Sequence, residues 1–335
     1  MAGMYEVDVP LKIAEIGDVI FQAESEKVPL SRLLRRGKKP KQMLCEWGCQ
    51  KYPDRKRGGT LDGTDIATFN HTTREKLEAY AMWMMTEGWL VTKLAQLIES
   101  AGVKDEKAKQ ASDDGLMLAR MTESQLSSDD ETAAESGETP YCSRGIFKWL
   151  SPTVQAVKPV PANFRPAAAC QYTGALADFG APNMETMLNA CATAKKGPVD
   201  LTGYVGIQLK AQMSKWGQRD PDAEADEAAA TLLYNLDAKE KKLIHTINMF
   251  EFDAGTVNVF PSWYLLTDKD TGAASAYTPK SGIFIDLDMW ELSFLQNPTA
   301  WVEPPKSGGP RGYHDEVYIL KCLNPLGQCS VLSNS

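Results

Sequence analysis

The chain has 335 residues, 43% of them hydrophobic and 24% charged, with a formal net charge of −8. That apolar content suffices to bury a core in one large domain or two smaller ones, and the acidic balance excludes a chain whose whole surface is a cationic nucleic-acid platform. No apolar run approaches the roughly 18 residues of a membrane span, and Glu6, Asp8, Glu15 and Asp18 stand where a signal peptide has a basic start, so synthesis in a cytoplasm is expected.

Residues 1–34 read as an extended arm with a short helical piece. Ile13, Ile16, Val19 and Ile20 recur at helical spacing until Pro29 breaks the pattern, and with no neighbouring segment to pack on, the arm is expected to dock elsewhere. From Gly37 to His71 the composition turns to glycine, threonine and basic residues. A stretch this long without periodicity is usually functional or projecting. QMLCEWGCQKY (42–52) and EKLEAYAMWMM (75–85) read as the legs of a long hairpin with Gly58, Gly59 and Gly63 at its tip. Leu77, Ala79, Ala81, Trp83 and Met85 alternate as a strand requires, although a helix over 73–85 fits nearly as well. The 7 cysteines, an odd number, fit a reducing compartment. Cys45 and Cys49 lack a histidine or second cysteine pair at zinc-finger spacing, so no metal site is expected.

Residues 89–100 predict a short helix through Leu90, Leu94, Leu97 and Ile98. Residues 103–129 predict one long helix, free of proline and interrupted only by Gly115. Its weakly apolar stripe runs through Ala108, Ala111, Gly115, Leu118, Ala119, Thr122 and Leu126, with Lys107, Asp113, Asp114 and Glu123 pointing elsewhere. So thin a seam suits a strut laid across a sheet, its other sides facing water or neighbouring molecules. Residues 127–140 form a polar, acidic connector, and Ile146, Phe147, Trp149 and Leu150 return the chain to a core. Pro152, Pro159, Pro161 and Pro166 keep the next stretch extended.

Residues 183–194 read as a helix with Asn183 as N-cap and Gly197 and Pro198 as its stop. Residues 200–216 read as a strand. Residues 218–242 are an acidic insertion, expected to be helical from Asp222 to Leu236. Four β-rich runs follow, at 244–252, 255–266, 283–295 and 316–323. The sum is an α+β fold.

Catalytic spacings are missing. There is no GxSxG elbow and no GxGxxG fingerprint, and in RGGTLDGT (57–64) Thr64 stands where a phosphate-binding loop needs lysine. The 3 histidines, His71, His245 and His314, are far apart in sequence and do not single out a thiol enzyme. Asp268, Asp270 and Gly272 begin like a calcium loop but lack its later acids, and read as a hairpin turn. No catalytic residue, cofactor or metal ligand is expected.

Charge is distributed unevenly. Residues 32–57 are strongly basic, opposed only by Glu46 and Asp54, whereas 99–138 are dominated by acids. Trp47 and Tyr52 among those bases are the pairing that holds single nucleic-acid strands, yet no nucleic-acid module accompanies them. A loop that presents cations to an acidic neighbour accounts for the same residues and also for the acidic strut.

VPLSRLLRRGKK (28–39), CEWGCQ (45–50), SRGIFKWL (143–150), FEFDAGTVNVFPSWYLL (250–266), IDLDMWELSFLQNP (285–298) and VYILKCLNPLGQCSVL (317–332) occur in an order that resembles the Hong Kong 97-type major capsid proteins of tailed phages. The resemblance implies an N-terminal arm over 1–37, an extended loop over 38–80 and a peripheral domain over 81–150 containing the spine helix 103–129. An axial domain over 151–302, carrying the insertion 218–242, and a C-terminal return over 303–335 complete it. It implies a structural subunit of the virion, not an enzyme, that self-assembles as hexamers and pentamers around double-stranded DNA. Portal, scaffolding and decoration proteins are its expected partners. Trp47, Tyr52, Arg55, Lys56 and Arg57 of the loop would touch the next subunit's spine at Asp113, Asp114 and Glu123. A nanocompartment shell and a single-stranded nucleic-acid binder are the competing readings.

Overall fold

The computed structural model describes residues 29–53, 58–65, 69, 71–97, 105–216, 235–237, 242–244, 247–265, 279–306 and 308–332. The chain folds into two compact units. The described part of the smaller is drawn from Met85–Leu118 and Pro298–Asp315, and the larger spans Val28–Met84, Ala119–Asn297 and Glu316–Ser335.

A proline-led helix α1 (Pro29–Leu33) and the short strand β1 (Arg35–Arg36) precede a two-stranded ribbon, β2 (Leu44–Lys51) and β3 (Thr73–Tyr80). The ribbon is antiparallel from Leu44↔Tyr80 to Lys51↔Thr73, so the hairpin reading holds and the helix alternative falls. Leu77, Ala79 and Ala81 are buried as alternation requires. After Ala81 the parity slips, and in β4 (Met82–Met85) it is Met84 that is buried while Trp83 and Met85 are exposed. A one-residue slip turns every following side chain to the other face. It falls where the ribbon ends, with the Ala81 amide donating to the Met43 carbonyl.

The single helix expected over 89–100 is instead a strand β5 (Trp89–Leu90) followed by a short helix α2 (Lys93–Leu97). Gly88, at φ 87°, supplies the left-handed turn that sends Trp89 and Leu90 into a sheet. The long helix α3 (Glu106–Leu126) follows, 21 residues without a break. Leu118, Thr122 and Leu126 are buried along its expected stripe, but Asp114 and Glu123 are buried with them, 9% and 1% exposed. After α3 the chain turns into α4 (Ile146–Trp149), where Ile146, Phe147 and Trp149 are buried. Gly145 is required at that turn, because a Cβ there would fall 2.1 Å from the Ser128 carbonyl oxygen.

The rest of the larger unit alternates strands and helices: β6 (Gln171–Tyr172), α5 (Ala181–Lys195), β7 (Val199–Val205) and α6 (Ile207–Lys215). Short strands β8 (Asn235–Asp237) and β9 (Lys242–Ile244) pair with each other. Then come β10 (Met249–Phe252), β11 (Gly255–Pro261), β12 (Gly282–Ile285), β13 (Trp290–Lys306), β14 (Gly309–Cys322) and β15 (Cys329–Val331). One sheet has the order β1-β13-β14-β4, with β5 on β14, and the other β10-β11-β7-β12-β15-β6. In the second, β7 and β11 are parallel and β12 is antiparallel to both β7 and β15. Helices α5 and α6 cover one face, where Met184, Leu188, Leu209 and Met213 meet Leu201, Val257 and Phe284 in one apolar core.

Two expectations are corrected here. Residues 200–216 are not one strand: β7 ends at Val205, and QLKAQMSK, all residues at home in a helix, forms α6 with Leu209 and Met213 inward. The helix expected from Asp222 to Leu236 does not reach its stated end, because Asn235 and Leu236 belong to β8. Its earlier part, like residues 268–272, lies outside the described residues. Helix α5 starts at Ala181, two residues before the predicted N-cap, and ends with Lys196 in the left-handed region, one residue before Gly197.

Candidate functional site

The ribbon has two unlike faces. One carries Cys45, Trp47, Leu77 and Ala79, and Trp47 fastens it to its own body: the indole Nε1–H donates to the Cys322 carbonyl at 2.9 Å and the ring meets Trp149 at 5.7 Å. The other face is polar. Lys76 joins Glu46 and Glu78, and Lys158 reaches Glu78 at 2.7 Å. Hydrogen bonds from Lys158 and then Lys76 hold the Glu78 carboxyl below its ordinary range. Beyond the ribbon the side chains Tyr52, Leu61 and Phe69 stand 75%, 84% and 82% exposed. Arg55, Lys56 and Arg57 lie outside the described residues.

The acids of α3 divide as sharply. Asp113 is exposed and pairs with Lys109 one turn earlier, at 2.8 Å. Asp114 is turned inward, where its Oδ2 accepts from the Thr86 hydroxyl and meets His314 Nδ1, each at 2.7 Å. The His314 ring lies against the helix at Gly115, where a Cβ would meet Nε2 at 3.4 Å, an ordinary van der Waals contact. Glu123 accepts the backbone N–H groups of Leu30 and Ser31, both at 2.7 Å, and so clamps the start of α1. Thr122 donates to the buried Glu316 carboxylate. The stripe on α3 is therefore a polar seam satisfied within the chain. Of the acids expected to meet a neighbour, Asp113 alone keeps an outward face; Asp114 and Glu123 are consumed internally, as is Trp47.

Burial pushes the carboxyls of Glu123 and Glu316 above their ordinary range, against the opposing pull of the Ser31 and Leu30 amides in one case and of Thr122 and Arg36 in the other. A raised folded-state pKa means that the folded chain holds more protons than the unfolded one above the ordinary carboxylate range. This contribution to stability is complete below that range and is lost as pH rises through the folded values. The neutral isostere Glu316→Gln removes the loss at that site. Its melting temperature relative to the unsubstituted chain is expected to climb as pH rises from about 4 to about 7; a difference that stays flat or falls would contradict the assignment.

A buried cation that the sequence reading did not single out sits at the junction of the α3–α4 connector and the proline-rich stretch. Arg144 has a side chain 0% exposed and bridges Glu131 at 2.7 Å. It also donates to the carbonyls of Val157 and Lys158 and lies 4.5 Å over the Trp149 ring. Burial pulls its pKa down and Glu131 partly restores it. The hint in sequence is an arginine one glycine ahead of the apolar IFKWL run.

Little of this is chemistry. The Cys45 and Cys49 thiols are pushed up by burial, the opposite of an activated nucleophile. Among the described residues no group of three or more His, Cys, Asp or Glu is arranged to hold a metal, and no helix is long and apolar enough to cross a membrane. What the geometry offers is a two-stranded ribbon with exposed apolar side chains beyond it, a long helix with a polar seam and a sheet backed by helices.

Solved phage capsids have this fold. The capsid asymmetric unit of cyanophage A-1(L) matches with a TM-score of 0.63 over 98% of both chains at 13% identity. A Mycobacterium phage Bobi structure gives 0.60 over 100% of both at 10% identity, and the capsid of cyanophage P-SCSP1u gives 0.60 over 97% of this chain and 94% of that one at 9%. Comparison with curated protein sequences returns no match. The sequence model of the SU10 major capsid protein family matches residues 4–316, and the chain belongs to that family. It is a major capsid protein of a tailed phage, a structural component of the virion that associates with its own kind, and not an enzyme.

Proposed function

We propose that the chain takes the Hong Kong 97-type arrangement, with an N-terminal arm over 1–37, an extended loop over 38–80, a peripheral domain over 81–150, an axial domain over 151–302 and a C-terminal return over 303–335. Copies assemble as hexamers and pentamers into an icosahedral or prolate head around double-stranded DNA, with portal and scaffolding or decoration proteins as further partners. The observation that carries this reading is the β2–β3 ribbon, which leads into a loop whose Tyr52, Leu61 and Phe69 are exposed in the single chain. Apolar side chains presented at the end of a ribbon gain by burial on another molecule. The net charge of −8 supports DNA as the contents, because a cationic wall would grip packaged phosphates by counterion release. Membership in a capsid family does not favour the nanocompartment shell or the single-strand binder.

The basic tip gives the test. Charge reversal across Arg55, Lys56 and Arg57 is expected to leave a folded subunit that no longer closes shells, since the loop would then carry the same sign as Asp113 on the neighbouring spine. Normal particles under the electron microscope from that variant would refute the loop's role.

A further inference from the structure

The chain contains two Asp-Gly steps, Asp62–Gly63 and Asp114–Gly115, and no Asn-Gly. Such a step carries a latent reaction, because the glycine nitrogen can close a five-membered ring on the aspartate side-chain carbon and no Cβ on the glycine hinders the approach. Closure requires the aspartate ψ to swing until the nitrogen faces that carbon. The fold treats the two steps in opposite ways.

Asp114–Gly115 is locked. Both residues lie inside α3, where the Gly115 N–H is bonded to the carbonyl four residues back and the intervening ψ cannot swing without breaking the helix. The Asp114 carboxylate is buried and held by the Thr86 hydroxyl and His314 Nδ1. Asp62–Gly63 is loose. Leu61–Thr64 form a turn closed by the Thr64 N–H donating to the Leu61 carbonyl at 3.3 Å, longer than an ordinary amide bond of this kind. Gly63 stands at φ 75°, as the third residue of a type II turn requires. Residues 61–65 are all exposed, and nothing lies within 4 Å of where a Gly63 Cβ would stand. Among the described residues nothing pairs with the Asp62 carboxylate and nothing accepts the Gly63 N–H. A turn with so few contacts opens at little cost in free energy.

We propose that Asp62–Gly63 is a site of spontaneous backbone isomerisation, its aspartate converting to isoaspartate through a cyclic imide. The Gly63 nitrogen attacks Asp62 Cγ, a C–N bond forms, and the carboxyl hydroxyl leaves as water with the amide proton. Water then opens the imide at either carbonyl. Opening at the side-chain carbonyl returns aspartate; opening at the main-chain carbonyl leaves the chain running through Cβ and Cγ, one carbon longer, with the carboxylate on Cα. The reaction needs only water and leaves the mass unchanged. The added carbon lies beside the exposed Leu61, so an aged loop presents that side chain differently. This consequence, unlike the reaction, rests on the reading of the loop as a contact between subunits.

The experiment holds the full chain for weeks at neutral pH in water enriched in heavy oxygen, beside two variants of matched melting temperature. Asp62→Glu would need a six-membered ring, which closes far more slowly, and Asp62→Asn reaches the same imide by losing ammonia, a better leaving group. The samples are digested in ordinary water, and residues 62 and 114 are read by mass spectrometry with fragmentation that distinguishes isoaspartate. Heavy oxygen and isoaspartate are expected to accumulate at Asp62 about tenfold or more ahead of Asp114, as the difference in local opening requires. The same isoaspartate is expected sooner in Asp62→Asn and not at all in Asp62→Glu. No label at Asp62, equal rates at the two steps, or an Asp62→Asn chain that yields no isoaspartate would overturn the proposal. Particle assembly reads the consequence separately. Aged unsubstituted subunits should close fewer shells than equally aged Asp62→Glu subunits, and equal yields would refute the effect on the contact while the chemistry stands.

Discussion

Replacing Arg144 with methionine is expected to destabilise the folded chain by about 3–5 kcal/mol, the usual cost of removing one partner of a buried ion pair. The guanidinium meets Glu131, the Val157 and Lys158 carbonyls and the Trp149 ring together. Methionine fills much of its volume but takes the cation away from Glu131, which keeps only the Thr132 amide as a donor, and takes the guanidinium N–H from two carbonyls; buried acceptors that lose a donor carry the penalty of desolvation. Lysine keeps the charge on a single nitrogen that lacks the planar fork, so Arg144→Lys should lie between the two. Denaturant unfolding of the isolated subunit reads both. A methionine variant within about 0.5 kcal/mol of the parent would mean that the pair is worth no more than a surface one. The consequence reaches beyond stability, since Glu131 stands at the foot of a hairpin in the acidic connector, bridged at Ala133↔Cys142 and Ser136↔Thr139, and its release would loosen the tip.

What the sequence made legible followed its periodicities. The 21 residues of α3 were visible because helix formers ran on without proline, and the ribbon because two alternating legs flanked a glycine-rich turn. The inward acids were not. Charged side chains are assigned to water unless a partner is known, and the partners of Asp114 and Glu123 are His314, 200 residues away, and the Leu30 amide, 93 residues away. Trp47 is hidden for the same reason: it stands among basic neighbours in the sequence, and the carbonyl that receives its indole N–H belongs to Cys322, 275 residues further on. Residues 200–216 resemble one strand because β-branched and aromatic residues cluster at the front of the segment, while the helix formers all stand behind Gly206. Local propensity settles type within a segment, and long-range pairing settles which face is occupied.

The largest effect expected lies in the loop itself. Changing Leu61 and Phe69 together to serine should leave subunit stability within about 0.5 kcal/mol of the parent, because in the single chain both side chains are more than four-fifths exposed and contribute little to its core. Assembly should suffer far more. Full burial of one such side chain on a neighbour is worth about 1.5–3 kcal/mol, so each loop contact loses about 3–6 kcal/mol. That corresponds to association weaker by a factor of about 10² to 10⁴ at every contact, and a closed shell repeats the contact around each ring. Sedimentation velocity with electron microscopy separates the two levels: a stably folded subunit at low mass, with few or no particles, is the expected outcome. Particles in normal yield would mean that the loop's apolar side chains find no seat on the neighbour, and shell closure would then have to rest on contacts elsewhere in the fold.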